Sequence, residues 1–180
     1  MGLLIRECVE NDLPAITAIY AHHVLHGLAS FEVDPPDLAE IRRRREEVAA
    51  RGLPYLVAEA DGVLAGYCYA NLYRTRAAYR HTVEDSVYVR RDQIGRGVGR
   101  ALLPALIEAC ARAGSRQMVA VIGDSANAAS ITLHERFGFT RVGTLAAVGF
   151  KFGRWVDSVL MQRPLGAGAE TLPAAEIRST

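Results

Sequence analysis

The 180-residue sequence has no long apolar run, no excess of charge of either sign and few cysteines, and each absence narrows the possible functions. No apolar stretch approaches the ~20 residues of a membrane helix, and the N-terminus lacks the basic and apolar regions of a signal peptide. With 21 basic and 20 acidic residues, the net charge of +1 leaves no electrostatic footprint for non-specific nucleic-acid binding. We therefore expect a protein that binds neither a membrane nor a nucleic acid.

Cysteine occurs three times, at Cys8, Cys68 and Cys110. The cysteines form no CxxC pair and no cluster with histidine, so we expect neither a disulfide framework nor a metal site. Unpaired thiols are typical of a reducing compartment, which predicts a cytoplasmic protein. The length suggests one domain, over residues 1–165, and the composition of residues 166–180 predicts a flexible C-terminal tail.

Hydrophobic periodicity and turn signals divide the chain into strands and four helices. Strands are predicted at residues 3–8, Tyr55–Ala60, Val63–Tyr69, Val83–Val89, Met118–Ile122, Val142–Phe150 and Trp155–Met161. Helices are predicted from Asp12 to Gly27, from Asp37 through Val48, from Val98 to Ala113 and from Ser125 to Arg136, with Asp12 and Ser125 as N-caps. This order predicts an α/β fold with a mixed sheet. Val83–Val89 and Met118–Ile122 are parallel neighbours in it, because a crossover helix connects them.

A glycine-rich turn, Gly95-Arg96-Gly97-Val98-Gly99, lies between a predicted strand and a predicted helix. Alternating glycines let a ligand approach the backbone closely, and the helix start offers free N–H groups at the positive end of its dipole. With Arg96 and Arg100 beside it, the turn predicts a cradle for an anion, most simply a diphosphate. A flexible surface turn is the alternative. The pattern is neither a P-loop nor a dinucleotide fingerprint, because Gly-Lys-Ser/Thr is absent and Arg100 stands where a third glycine is needed.

The strand Val87–Val89, the glycine turn and the helix after it resemble the coenzyme A motif of the GNAT superfamily of N-acetyltransferases. The segment from Asn127 to Phe139 resembles the second signature of that superfamily, and the resemblance covers residues 3–163. Within the superfamily the chain is most similar to the phosphinothricin and methionine sulfoximine acetyltransferases, in the stretches Ser30–Glu32, Tyr79–Glu84 and Lys151–Trp155. One departure is Ile94, where the family usually has Gln or Arg.

The resemblance implies the GNAT acyl-CoA N-acyltransferase fold, a central mixed sheet with splayed parallel strands flanked by helices. It implies transfer of an acetyl group from acetyl-CoA to the amine of a small amino acid analogue, by direct attack in a ternary complex. It also implies a homodimer with acceptor sites near the interface, and no metal. The alternatives are a protein N-terminal or lysine acetyltransferase, a non-catalytic acyl-CoA-binding sensor and a nucleotide-binding regulator.

The same resemblance implies which residues bind the donor. They are Val87, Tyr88, Val89, Gly95, Arg96, Gly97, Val98, Gly99, Arg100, Asn127 and Ser130. The strand Val87–Val89 would pair with the pantetheine arm of acetyl-CoA. The backbone N–H of Val89 would act catalytically by donating a hydrogen bond to the oxyanion that develops on the thioester oxygen.

Two side chains are candidates for proton transfer. Glu84, upstream of the donor segment on the same strand, is the candidate general base, acting directly or through a water; an exposed strand carboxylate is the alternative. Asp85 points to the opposite face by strand alternation and is the weaker candidate. His134 shares a helix face with Asn127 and would protonate or orient the leaving thiolate. Many relatives carry tyrosine at this position, and a hydrogen-bonded helix histidine is the alternative.

The acceptor is expected to meet basic and aromatic side chains. A guanidinium binds a carboxylate or phosphinate in a bidentate fork, which is the anion that an amino acid analogue carries beside its amine. The predicted acceptor-binding residues are Tyr73, Arg74, Thr75, Arg76 and Arg80, together with Glu84 and with Phe31 and Glu32 as a closing loop. A basic surface loop is the alternative for the arginines, and Arg154-Trp155 is an alternative candidate for dimer packing.

Overall fold

In the computed structural model, which describes residues 2–173, seven strands form one mixed sheet with four α-helices on its two faces. The strands are β1 Leu3–Glu7, β2 Tyr55–Ala60, β3 Val63–Leu72, β4 Thr82–Val89, β5 Gln117–Gly123, β6 Thr140–Lys151 and β7 Arg154–Pro164. The helices are α1 Leu13–His26, α2 Leu38–Ala50, α3 Val98–Arg112 and α4 Ala128–Arg136. The strand order is β1-β2-β3-β4-β5-β7-β6, so the predicted mixed α/β sheet is confirmed.

Glycine ends three of these elements where the sequence predicts it. Gly27 is the C-cap of α1, and Gly114, with a φ of +90°, follows α3. The β2–β3 turn has positive φ at both Asp61 (51°) and Gly62 (78°), the combination that a tight hairpin needs. These local signals fix where the chain reverses.

Asp12 is the N-cap residue of α1, as predicted, although its side chain makes no hydrogen bond to the first turn of the helix. The predicted N-cap at Ser125 is wrong. The Asp12 carboxylate accepts from the Val9 backbone N–H at 2.8 Å and binds Arg6, so it closes the turn before α1. Ser125 donates to Asp157 Oδ2 at 2.6 Å. Asn127 caps α4 instead, accepting from the Ser130 backbone N–H at 3.2 Å.

Each face of the sheet has its own apolar cluster. Helices α1 and α2 cover Val57, Leu64 and Tyr67 on one face. Helix α3 covers Cys68 and Met118 on the other, where the larger cluster extends to β7. Because side chains alternate along a strand, neighbours on β4 belong to opposite faces.

Strands β4 and β5 pair in parallel only over their first halves, Thr82–Asp85 with Gln117–Ala120. Beyond that point β5 continues to pair with β7 as far as Gly123, whereas β4 keeps only its pairing with β3. The sheet is therefore open between Ser86–Val89 and the end of β5, and the predicted splay is confirmed. This opening positions the site.

The C-terminal end of the described chain remains in contact with the domain. Leu165 is buried in the core, and the Arg116 guanidinium donates to the Thr171 hydroxyl and the Leu172 carbonyl. Residues 174–180 of the predicted tail lie outside the described residues. Within residues 2–173, no helix has the length and apolar character needed to cross a bilayer.

Candidate active site

A cavity of about 640 Å³ lies where β4 and β5 part, and we call it the donor cavity. Its walls come from the second half of β4, the glycine turn and the first turns of α3 and α4. They include ten of the eleven predicted donor-binding residues: Val87, Tyr88, Val89, Gly95, Gly97, Val98, Gly99, Arg100, Asn127 and Ser130. The eleventh, Arg96, is exposed and does not belong to this wall.

The backbone of β4 offers unpaired donors to this cavity. At one end of the β3–β4 ladder the Tyr73 N–H donates to the Thr82 carbonyl, and at the other end the Arg90 N–H donates to the Ala65 carbonyl. Thr82 and Arg90 therefore belong to the residues whose backbone groups bond to β3. Since such residues alternate along an antiparallel ladder, the N–H groups of Val87 and Val89 point away from β3 and into the gap. The Val89 carbonyl oxygen is 2.9 Å from His23 Nε2.

The glycine turn fits an anion. Gly95 and Gly97 have φ values of +80° and +86°, which glycine adopts readily, and Gly97 is the N-cap of α3. The N–H groups of residues 97–100 have no acceptor within the helix, and they lie at its positive end beside the cavity. Gln93 and Ile94 also line the cavity, so the departure at Ile94 leaves the backbone cradle in place.

A second cavity of about 450 Å³ adjoins the first, and we call it the acceptor cavity. The two share parts of their walls, including Val87, Tyr88, Asn127 and Ser130. Of the predicted acceptor-binding residues, Phe31, Glu32 and Glu84 line it. The sequence interpretation missed Tyr20, Ser30, Tyr69, Ser86 and Ser158, which also line it.

Glu84 lies in the wall of the acceptor cavity. Burial raises the pKa of its carboxyl to about 7; the negative charge of Asp85 acts in the same direction, and the Arg74 guanidinium opposes both. A carboxylate with a pKa near neutrality is suited to accept a proton at physiological pH. The role of Glu84 as the general base stays a prediction.

The predicted role of His134 as a direct proton donor is not supported by its position. Nε2 is 2.9 Å from Asp85 Oδ2 and Nδ1 is 2.7 Å from the Ser130 carbonyl oxygen, so protein atoms engage both nitrogens. Burial alone would lower the pKa of His134, but the hydrogen bond and charge of Asp85 raise it above its ordinary value. Asp85 lies on the face opposite Glu84, as alternation predicts, yet both line the acceptor cavity because the gap opens the sheet to both faces.

The predicted arginine wall is not found among the residues that line the acceptor cavity. Its described lining contains none of the stretch Tyr73-Arg74-Thr75-Arg76, and not Arg80. The Arg74 guanidinium stacks over the Tyr73 ring at 5.0 Å instead. These side chains follow β3 at its outer end, where the chain turns along the surface.

The loop between α1 and α2 forms one side of the acceptor cavity and is held in two ways. Glu32 Oε1 accepts from the Tyr20 hydroxyl at 2.8 Å and from Arg44 Nη1 at 2.6 Å. The buried Lys151 Nζ donates to the carbonyls of Gly27 and Ser30, at 3.0 and 2.7 Å.

The Phe31 ring of the same loop packs where a Cβ at Gly149 would lie. Lys151 and Gly149 lie far along the chain from this loop. The sequence signal for Lys151 was its place in a stretch similar to the acetyltransferases, whereas Gly149 carried none.

A family model described as an acetyltransferase (GNAT) domain matches residues 5–160. The chain belongs to the GNAT acetyltransferase family. Phosphinothricin N-acetyltransferase from Alcaligenes faecalis is 60% identical over 169 residues, which are 94% of this chain and 86% of that protein. The L-methionine sulfoximine/L-methionine sulfone acetyltransferase of Pseudomonas aeruginosa is 45% identical over 163 residues, 90% of this chain and 94% of that protein.

A solved structure extends the likeness from sequence to fold. The crystal structure of a GNAT superfamily phosphinothricin acetyltransferase from Sinorhizobium meliloti, in complex with acetyl-CoA, matches with a TM-score of 0.95 and 44% identity. The match covers 99% of this chain and 97% of that one. The predicted superfamily, fold and enzyme class, an acetyl-CoA-dependent N-acetyltransferase, are confirmed.

The donor cavity of this GNAT enzyme has the groups that acetyl-CoA requires. The N–H groups of residues 97–100 and the Arg100 side chain would hold the diphosphate, and the gap-facing amides of Val87 and Val89 would bond the pantetheine arm. Within residues 2–173, no cluster of three or more histidine, cysteine or carboxylate side chains is arranged to hold a metal ion.

Proposed function

We propose that this GNAT enzyme acetylates the amine of a small amino acid analogue of the phosphinothricin or methionine sulfoximine type. One observation carries the proposal: a cavity with Glu84 in its wall opens onto the donor cavity through the gap between β4 and β5. Its volume of about 450 Å³ suits a compact acceptor. The names of the two similar proteins from Alcaligenes faecalis and Pseudomonas aeruginosa support the same acceptor class.

Bound acetyl-CoA supplies an activated thioester, so the protein has to supply a neutral amine, orientation and charge stabilisation. Glu84 takes the proton from the ammonium of the acceptor, which becomes nucleophilic on losing it. The Val89 N–H, which points into the gap, stabilises negative charge that develops on the acetyl oxygen, an effect of roughly 3 kcal/mol for one such donor. The shared wall of the cavities holds both reactants together.

The cysteines argue for direct transfer without an acetyl-enzyme. All three are free and buried. Burial is the main cause that raises the pKa of the Cys8 thiol to about 11 and that of the Cys110 thiol to about 12. Cys68 is shifted in the same direction. Such thiols are poor nucleophiles. Three unpaired cysteines also support the predicted cytoplasmic location, which stays a prediction.

Recognition of the acceptor anion falls to hydroxyl donors in the wall. Tyr69, Ser86 and Ser158 all line the acceptor cavity. The hydroxyl groups donate hydrogen bonds to carboxylate or phosphinate oxygens. Binding by Arg74, Arg76 and Arg80 stays a prediction.

An acceptor panel tests the proposed function. The panel measures kcat/KM with acetyl-CoA for phosphinothricin, methionine sulfoximine, standard amino acids and peptides with free N-termini or lysines, by thiol release and mass spectrometry. We expect the two analogues to exceed every peptide by at least a hundredfold. Preference for a peptide would favour a protein acetyltransferase, and tight acetyl-CoA binding without turnover would favour a sensor; both contradict the proposal.

We also propose that the enzyme is a homodimer through the β6–β7 hairpin. Val148, Phe150, Phe152 and Trp155 are each more than half exposed there, and the Phe150 and Trp155 rings pack edge to face at 5.2 Å. An aromatic patch of this kind on a hairpin at the edge of a sheet is typical of an interface, and a second copy would cover it.

Light scattering after size exclusion tests the dimer. We expect twice the chain mass for the wild type and a monomer for Trp155→Glu. Leu4→Glu places the same charge on an exposed apolar residue of β1, at the other edge of the sheet, and should stay dimeric. A monomeric wild type at tens of micromolar would contradict the proposal.

A further inference from the structure

Three polar side chains in the wall of the acceptor cavity form a continuous chain that ends at the donor cavity. His134 Nε2 on α4 is 2.9 Å from Asp85 Oδ2 on β4, and these side chains are only 5% and 2% exposed. His134 Nδ1 is 2.7 Å from the Ser130 carbonyl oxygen and 3.5 Å from the Ser130 hydroxyl oxygen. Of the three residues, Ser130 is the one that lines both cavities.

The hydrogen-bond partners fix where the protons lie. A carbonyl oxygen only accepts, so His134 Nδ1 carries a proton. A second proton lies between Nε2 and the Asp85 carboxylate. Within the described residues Asp85 Oδ1 is buried without a hydrogen-bond partner, so a protonated imidazole is the group that balances the carboxylate charge.

No nitrogen of His134 is free to meet a ligand, but the Ser130 hydroxyl touches the Nδ1–H edge on one side and the donor cavity on the other. We propose that Asp85, His134 and Ser130 form a proton relay whose outer end, the Ser130 hydroxyl, protonates the departing sulfur. The relay rests on the proposed acetyl transfer. Ser130 is then a catalytic residue, and Asp85 and His134 are positioning residues that act through it.

The proton balance is complete without another reactant. As the amine nitrogen bonds to the acetyl carbon, the carbon–sulfur bond breaks and its electron pair stays on sulfur. The Ser130 hydroxyl proton passes to sulfur, Oγ takes the Nδ1 proton, and the imidazole is left neutral with its Nε2–H on Asp85. The acceptor ammonium loses two protons through Glu84 and solvent. One of them restores the imidazolium and the other is released.

An aromatic ring and two thiols surround the relay. Phe139 packs edge to face on the imidazole, with ring centroids 4.9 Å apart. Cys68 on β3 and Cys110 on α3 belong to the same buried cluster, and burial and the charge of Asp85 both raise the pKa of these thiols, which stay neutral. Glu84 approaches from the opposite face of the sheet.

The first test uses the free protein and needs no acetyl-CoA. An NMR titration of the His134 ring should show that its pKa falls by at least one unit in Asp85→Asn. The matched control is Thr132→Ala, which removes an exposed hydroxyl from the same helix and should leave that pKa unchanged. An unshifted His134 pKa in Asp85→Asn would overturn the relay.

The second test separates binding from chemistry. Ser130→Ala should lower kcat about a hundredfold, in the range for loss of a general acid. Ser130 lines the donor cavity, so calorimetric acetyl-CoA affinity should also fall, but far less than kcat. Ser130→Thr, which restores a hydroxyl, should recover most of kcat. An active wild type with an equally active Ser130→Ala would overturn the relay. Failure of the proposed function shows differently, as a wild type that acetylates no member of the acceptor panel.

Discussion

At the scale of single residues, two adjacent carboxylates on β4 have different tasks because they face different surroundings. Both line the acceptor cavity, but Asp85 also hydrogen bonds to His134 on α4. Burial, and then the neighbouring charge of Asp85, raises the pKa of Glu84 to about 7. Both side chains are carboxylates, so it is their different surroundings that make Glu84 the candidate general base.

We predict that Glu84→Gln lowers kcat/KM by about 10²–10³-fold, the typical contribution of a general base. Only the ionised carboxylate accepts a proton, so wild-type kcat/KM should rise with pH through about 7 and level off above it. The variant should lose this limb of the pH profile. Glu108→Gln, on the exposed surface of α3, is the matched control; an unchanged limb in Glu84→Gln would assign the base elsewhere.

Sequence reasoning found the residues whose role depends on local pattern and missed those that depend on distant contacts. Glu84 was predicted because it precedes the donor strand in a recognisable motif. The partner of Asp85 is 49 residues away on another element, and no periodicity indicates it. The stacking of Arg74 on Tyr73 was missed for a related reason, because it is decided by the path of the loop.

At the scale of elements, the start of α3 sets the donor site. Gly97 needs a left-handed φ to turn the chain from β4 into the helix, and this turn exposes the first N–H groups of α3. The sequence predicted the position of this turn from its alternating glycines at a strand-to-helix junction, but Arg96 does not line the donor cavity. The acceptor loop was predicted only in part, because Lys151 and Gly149 hold it from a hairpin late in the chain.

Gly97→Ala should weaken acetyl-CoA binding about three- to tenfold in calorimetry. A side chain at this φ costs roughly 1 kcal/mol, so the turn relaxes and the N–H groups lose their alignment. Gly114→Ala is a matched control, because Gly114 has a φ of +90° at the other end of α3. Its unfolding free energy should fall similarly while its acetyl-CoA affinity stays at the wild-type value. Equal affinity in both variants would rule out the backbone cradle.

Lys151→Met should raise the acceptor KM about tenfold or more and leave the acetyl-CoA affinity within twofold. The variant keeps the length of the side chain but loses charge-assisted bonds to two loop carbonyls, each worth roughly 1.5–3 kcal/mol. Steady-state kinetics with each substrate varied in turn measures the change. The acceptor KM of Lys151→Arg, which keeps hydrogen-bond donors at this position, should lie between the values for the wild type and Lys151→Met. An acceptor KM that does not move in Lys151→Met would show that the loop holds its shape without this contact.

At the scale of the whole molecule, the functionally important feature of the sheet is the gap where β4 and β5 stop pairing. In the seven-stranded sheet the β4–β5 ladder stops after Asp85. Helices on both faces of the sheet contribute to the walls of the opening that results. The pattern of strands and helices predicted the order of elements. The joining of the two cavities became visible only with three-dimensional placement, because their walls come from seven helices and strands and three loops.

The central claim is that both substrates meet in this opening and that the acetyl group passes directly between them. Initial rates with acetyl-CoA and the acceptor varied together, with intact-mass analysis of the enzyme after incubation with acetyl-CoA alone, test it most directly. The account predicts intersecting double-reciprocal lines and an unmodified chain mass. Parallel lines together with a chain heavier by one acetyl group would contradict it.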